Sequence, residues 1–176
     1  MSEEPDMDEL KGETCAFCNK NTLTLRQMER EVPYFGNLIL FSMQCENPEC
    51  AYRKSDVEAE QPKGKVKQTL EVNEEEDLKA RVVKSSTATV KVPRVGNIEP
   101  GEASNGYVTN IEGILNRLKV QIEKARDLSE DDSEKKKAKN LIKKLSRVMQ
   151  GRDKIKVTLE DPEGNSSIIS EKIESK

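Results

Sequence analysis

Cys15-Ala16-Phe17-Cys18 and, after residues 19–44, Cys45-Glu46-Asn47-Pro48-Glu49-Cys50 hold every cysteine of the chain. Two close pairs on either side of a strand-length excursion suit a tetrahedral zinc ion, because each pair can form a tight turn whose sulfurs point the same way. The excursion reads as two strands. Leu23 and Leu25 share a face within Thr22–Arg30, Leu38–Met43 is rich in β-formers, and Val32-Pro33-Tyr34-Phe35-Gly36-Asn37 between them supplies turn residues. This is the layout of a zinc ribbon over residues 13–56, with Cys15, Cys18, Cys45 and Cys50 as ligands. The four-residue gap between Cys45 and Cys50 is longer than the usual two and loosens that knuckle without forbidding it. Four thiolates leave no coordination position for water, so the expected cofactor is one structural Zn2+.

Other uses of the cysteines fit less well. Disulfides need an oxidising compartment, and a redox Cys-x-x-Cys normally opens a helix after a strand rather than preceding a hairpin. The start of the chain, with Glu3, Glu4, Asp6, Asp8, Glu9 and Glu13, is the opposite of the basic, apolar opening of a secretory signal. No stretch approaches the roughly 20 apolar residues that cross a bilayer. A cytoplasmic protein with no membrane partner is expected.

The chain of 176 residues contains no histidine. That removes the commonest general base, the Ser-His-Asp and Cys-His systems, and metal sites that mix imidazole with thiolate. Catalysis is therefore not expected, and neither is a small-molecule substrate. A net charge of -3 gives no overall attraction to phosphate polymers. Hydrophobic residues make up 34% and aromatics 3%, so the apolar core is thin and divided.

Beyond the ribbon, Ser55–Lys67 reads as a connector, with Pro62 and Gly64. Val66–Val72, Ala80–Lys84 and Thr87–Val92 are β-like, the last with Ala88, Val90 and Val92 inward. Glu74-Glu75-Glu76-Asp77 reads as a loop or helix start rather than an acid/base pair, since nothing nearby would desolvate it. Asn97–Tyr107 reads as a loop. From Ile111 the period lengthens: Ile111, Ile114, Leu115, Leu118, Ile122, Ala125 and Leu128 form one helical stripe, and Ala138, Leu141, Ile142, Leu145, Val148 and Met149 a second. Ser129 with Asp132 is the expected capping box of the second helix, and Gly151 its end. Strands return with Ile155, Val157 and Leu159, then the turn Asp161-Pro162-Glu163-Gly164-Asn165, then Ile168 and Ile169. The expected organisation is mainly β with α: a disordered acidic segment 1–12, the ribbon 13–56, a β-domain 57–172 with a helical hairpin inserted at about 109–150, and a frayed end 173–176.

A series of blocks resembles the ZPR-type zinc-finger family. They are Cys15-Ala16-Phe17-Cys18, Val32-Pro33-Tyr34-Phe35, Ser42–Cys45, Asp77-Leu78 followed by Val82-Val83-Lys84-Ser85, Ala88–Pro93, Glu99-Pro100-Gly101, Val108-Thr109 with Ile111-Glu112-Gly113, and Asp161-Pro162 with Gly164-Asn165-Ser166. The chain departs from the family pattern in the Cys45–Cys50 gap, at Arg94 and Asn110, and in having one module where eukaryotic members have two. In that it resembles archaeal members.

The resemblance implies a four-cysteine zinc ribbon followed by a double-stranded β-helix-like domain with a helical hairpin. It also implies a non-enzymatic protein that binds the translation elongation factor one-alpha GTPase and assists its folding. Tyr34 and Phe35 are candidate contacts, or else they pack the ribbon against the β-domain. Glu112, Gly113, Asp161, Asn165 and Ser166 are candidates from family blocks, or else serve the turns in which they lie. The segments Glu112-Gly113 and Asp161–Ser166 both flank the inserted hairpin and are expected to approach each other. A nucleic-acid-binding ribbon protein is the alternative, using the lysine-rich helix 133–150 with Lys135, Lys136, Lys137 and Lys139. Its lack of interleaved aromatics weighs against base stacking.

Overall fold

The computed structural model describes residues 7–175. β1 (Met7–Glu13), β2 (Leu23–Val32), β3 (Gly36–Cys45) and β4 (Arg53–Ala59) form one antiparallel sheet in that order. β2 and β3 pair without interruption from Leu23↔Cys45 to Val32↔Gly36, which returns the chain to the first cysteine pair. At the far turn Tyr34 takes φ +66 and the Phe35 N–H donates to the Val32 carbonyl at 3.0 Å.

Two expectations are corrected here. Residues 7–12, expected to be disordered, lie in β1, and the remaining 1–6 fall outside the described residues. Residues 53–59, expected to close the ribbon and begin a connector, form β4, which pairs with β3 from Gln44↔Arg53 to Leu38↔Ala59. The polar side chains that hide this strand are those that dock it on the second domain. The Ser55 N–H donates to Asn105 Oδ1 at 2.9 Å and its hydroxyl to the Gly106 carbonyl at 3.0 Å, while Asp56 accepts from the backbone N–H and hydroxyl of Ser86. Apolar contact completes the joint: Val32, Leu38 and Val57 of the ribbon cluster with Val83 of the next domain.

That domain contains β5 (Val66–Val72), β6 (Arg81–Lys84), β7 (Thr89–Val92), β8 (Gly96–Ile98), β9 (Tyr107–Asn110), α1 (Ile111–Leu128), α2 (Asp132–Met149), β10 (Ile155–Asp161), β11 (Ser167–Ile169) and β12 (Glu174–Ser175). A five-stranded sheet has the order β12-β5-β10-β7-β8 and a three-stranded sheet the order β11-β6-β9. Their inward residues form one core with the base of the helical hairpin: Leu70, Val90 and Leu159 from the larger sheet, Val82 and Ile168 from the smaller, Ile114 and Leu118 from α1, Leu145 and Val148 from α2. The loop expected over Asn97–Tyr107 is shorter, since β8 and β9 take up its two ends.

α1 opens with the Asn110 side chain accepting from the Gly113 N–H at 2.8 Å. Its apolar stripe is buried only from Ile111 to Leu118; Leu128 is 84% exposed, so the distal hairpin stands clear of the core. The cap of α2 is Asp131, which accepts from the Ser133 N–H at 2.7 Å, and not the expected Ser129, which ends α1. Gly151 follows α2 with φ +63, as expected for a helix C-terminus. Among the described residues no helix is long and apolar enough to cross a membrane.

The end expected to fray is held. Glu174 and Ser175 pair with β5, Ile173 packs on the core, and the Lys172 ammonium contacts Asp77 at 2.7 Å and also Glu74. Residue 176 lies outside the described residues. Asp77, in a short 3-10 turn over Glu75–Lys79, is buried after all, and it also accepts from the N–H groups of Asn73 and Glu74. Burial pushes its carboxyl up, but Lys172 and these two donors hold it below the ordinary carboxylate range. A lowered folded-state pKa gives stability that is present above the unfolded value of about 3.9 and is lost as pH falls through the folded one. Lys172→Met should therefore move acid unfolding to higher pH, read by circular dichroism across an acid titration. An unchanged midpoint would show that Lys172 contributes nothing to Asp77.

Candidate metal centre

The β2–β3 register brings the two cysteine pairs to the same end of the ribbon sheet. In the first knuckle the Cys15 carbonyl accepts from the Asn19 N–H at 2.8 Å, and Asn19 closes the turn at φ +54. In the second, the Asn47 carbonyl accepts from the N–H groups of Cys50 at 3.0 Å and Ala51 at 2.9 Å, with Ala51 at φ +50. The long gap is thus absorbed: Asn47, and not Cys45, takes the carbonyl role that Cys15 has in the first knuckle, and Cys45 stays anchored through its N–H to the Tyr52 carbonyl at 2.8 Å.

The four Sγ atoms lie within 4.8 Å of one another, with Cys15–Cys50 at 3.9 Å and Cys18–Cys45 at 3.7 Å. Zinc–sulfur bonds of about 2.3 Å in a tetrahedron set sulfur–sulfur edges of about 3.8 Å, so the cluster fits one zinc ion. None of the four is in a disulfide. Cys15 and Cys45 are buried, Cys18 and Cys50 half-buried, so the ion would sit under the knuckles and not at a cleft.

Thr22 and Asn47, which the cysteine spacing does not reveal, complete the surroundings. The Thr22 hydroxyl lies 3.2 Å from Cys45 Sγ. Backbone at Lys20 and the Asn47 side chain hydrogen-bond Cys18 and hold its thiol down at about 6. At Cys50 the Tyr52 backbone contact pulls the other way, but burial and the three neighbouring thiols outweigh it and push the thiol up to about 11. Four adjacent thiols resist losing their last proton, and a divalent cation removes that resistance. Phe17 stacks on Tyr52, ring centroids 4.3 Å apart, over this end of the sheet.

The partner-binding candidates separate into distinct environments. Tyr34 is 94% exposed, whereas its neighbour Phe35 packs against the Val32, Leu38, Val57 and Val83 cluster that joins the domains. Asp161 and Ser166 are each 1% exposed, so neither can meet a partner. Asp161 accepts from the hydroxyls of Ser85, Thr87 and Ser166 and from the Glu163 N–H, all inside the β-domain. Asn165 accepts from the Ala59 N–H at 3.1 Å and so ties the β-domain to β4. Glu112 is exposed. Gly113 is needed for a close approach, but to the strand that leads into its own helix: a Cβ there would lie 2.1 Å from Thr109 Oγ1 of β9. Among the described residues no hydrogen bond joins Glu112 or Gly113 to Asp161, Asn165 or Ser166.

A four-cysteine ribbon clasped to a two-sheet β-domain with an inserted helical hairpin defines a zinc-finger protein of ribbon-plus-jelly-roll type. Residues 9–62 match the family described as ZPR1 zinc-finger domain, and residues 76–176 that described as ZPR1 jelly-roll domain. The chain belongs to the ZPR1 zinc-finger family. It is 35% identical over 175 residues to a ZPR1-like protein of Pyrococcus horikoshii, covering 97% of this chain and 78% of that one. A ZPR1-like protein of Methanocaldococcus jannaschii is 35% identical over 173 residues, covering 96% and 85%. The zinc finger chaperone zpr1 of Schizosaccharomyces pombe is 34% identical over 164 residues, covering 88% of this chain but 33% of that longer protein.

Proposed function

We propose that this protein is a cytoplasmic binding protein for a translation elongation factor one-alpha type GTPase and assists its folding. The observation that carries the reading is Tyr34, an aromatic side chain presented to solvent at 94% exposure at the β2–β3 turn, where the neighbouring Val32, Phe35 and Leu38 pack with Val83 of the β-domain and hold the turn in place. An aromatic ring fixed on a rigid turn offers contact area at small entropic cost, which suits the capture of apolar surface on an incompletely packed client. Phe17 at the knuckle end and Leu128 at the distal end of the hairpin are also exposed, at 70% and 84%. The chaperone name of the S. pombe relative supports a protein client.

The test is capture of the purified elongation factor by the zinc-loaded protein. Tyr34→Ala should weaken capture about tenfold or more, as removal of a central aromatic contact does. Replacing Lys135, Lys136, Lys137 and Lys139 together with Glu should leave it intact. Strongly salt-dependent RNA binding that the four lysine changes abolish, together with no capture of the factor, would overturn the proposal in favour of a nucleic-acid role.

A further inference from the structure

A cavity of about 800 Å3 lies apart from the cysteine cluster and from Tyr34, between α1 and the segment 98–105. Two residues paired across strands, Lys84 of β6 and Tyr107 of β9, contribute to its lining. Lys84 is wholly buried, yet among the described residues its ammonium donates only to the Ser85 carbonyl, at 2.9 Å, which leaves two of its three protons without an acceptor. The Tyr107 hydroxyl is also buried and has no partner among the described residues. Over the same ring lies the Arg117 guanidinium, 4.0 Å from the centroid, with Lys84 Nζ at 5.6 Å.

Buried donors without acceptors are costly, and a buried cation more so. Burial pushes the Lys84 ammonium below its ordinary range, and the nearby Asp56 and Asp161 carboxylates offset this only in part. Lys84, Tyr107 and Arg117 all line the cavity, so an anionic acceptor entering it has three donor-bearing side chains to draw on. The remaining lining selects the kind of anion. Glu99 and Glu102 also face the cavity and would repel a densely charged phosphate compound, whereas they can accept from peptide N–H groups. Asn105, Asn116 and Gln121 carry amides that both donate and accept, as a peptide backbone requires.

We propose that this cavity binds a short peptide segment through one carboxylate, seated against Lys84, Tyr107 and Arg117. The volume falls in the range that holds a ligand of a few residues, about 300 to 1000 Å3. A carboxylate can come from an acidic side chain or from a chain terminus, and the site chemistry is the same for both. The inference does not rest on the identity of the client, because Tyr34 lies outside the cavity.

The experiment is an NMR titration of the isotope-labelled, zinc-loaded full chain with three probes: acetyl-tetra-alanine with a free C-terminus, acetyl-Ala-Ala-Glu-Ala-amide, and inorganic phosphate. One or both peptides should shift the Lys84, Asn105, Tyr107 and Arg117 amide signals saturably, and the peptide that does so identifies the carboxylate source. Arg117→Gln and Tyr107→Phe, which remove a charged donor and a single hydroxyl, should each weaken binding several-fold to about tenfold while the chain stays folded. No saturable shift with either peptide, affinity unchanged in Arg117→Gln, or phosphate binding as tightly as the peptides would overturn the proposal.

Discussion

Removal of zinc, by chelation or by Cys45→Ser, is expected to unfold the knuckle end of the ribbon and leave its other end in place. The apolar support at the knuckles consists of Cys15, Leu23 and Cys45 with a few half-buried neighbours, too little to hold two turns built on left-handed residues. Metal binding at comparable small sites supplies on the order of 10 kcal/mol of folding free energy, so its loss should be decisive locally. The opposite end differs, because Val32, Leu38 and Val57 are packed against Val83 without any contribution from the metal. Hydrogen exchange separates the two ends. The amides of Cys15, Asn19, Cys45 and Cys50 should lose protection by orders of magnitude, while those of Leu38 and Val57 keep most of theirs. Uniform protection before and after chelation would mean that the sulfur cluster does not hold the fold together.

The residues that could be read from the chain alone are those whose neighbours are local or whose pattern repeats. Cysteine pairs announce a knuckle because both sulfurs come from one turn, and Ile155, Val157 and Leu159 announce a half-buried strand because alternation is local. β4 escaped because Ser55, on the same face as the buried Val57 and Ala59, and Asp56, on the other face, are polar, and their partners Asn105, Gly106 and Ser86 are far along the chain. β1 escaped for a related reason: at Leu10, 61% exposed, it buries little and is held by pairing with β2. The second half of the α1 stripe reads as core from its spacing, but periodicity identifies a face without saying whether anything covers it. Tyr34 and Phe35 show the same limit at single-residue scale, since adjacent positions at a turn point in different directions and only the fold decides which is buried.

Asp161→Ala should be among the most destabilising single substitutions in the chain, and the alternation of β10 explains why. Ile155, Val157, Leu159 and Asp161 occupy successive inward positions, so the carboxylate that reads as a turn residue continues the core face of the strand. There it is 1% exposed and accepts from Ser85 Oγ at 2.9 Å, Thr87 Oγ1 at 3.2 Å, the Glu163 N–H at 2.9 Å and the Ser166 hydroxyl. It is also, with Asp56, one of the two carboxylates that offset the buried charge of Lys84. Burial pushes the Asp161 carboxyl up, and the hydroxyl and N–H donors more than compensate, so it remains ionised below the ordinary carboxylate range. Truncation to Ala leaves these donors without their acceptor and the ammonium with one counter-charge fewer, a loss of about 3 to 5 kcal/mol by comparison with broken buried pairs. In a chain of this size that corresponds to a fall of roughly 10 °C or more in Tm. Asp161→Asn keeps the shape and two acceptor lone pairs and should fall between Ala and the native residue. The sign of the pH dependence follows from the lowered folded-state value: the native protein loses this contribution as pH falls through it, whereas Asp161→Asn does not, so the stability gap between them should narrow in acid. Denaturant unfolding of the three proteins at neutral and acidic pH measures all of this. A Tm for Asp161→Ala within about 2 °C of the native protein would show that the network does not stabilise the β-domain.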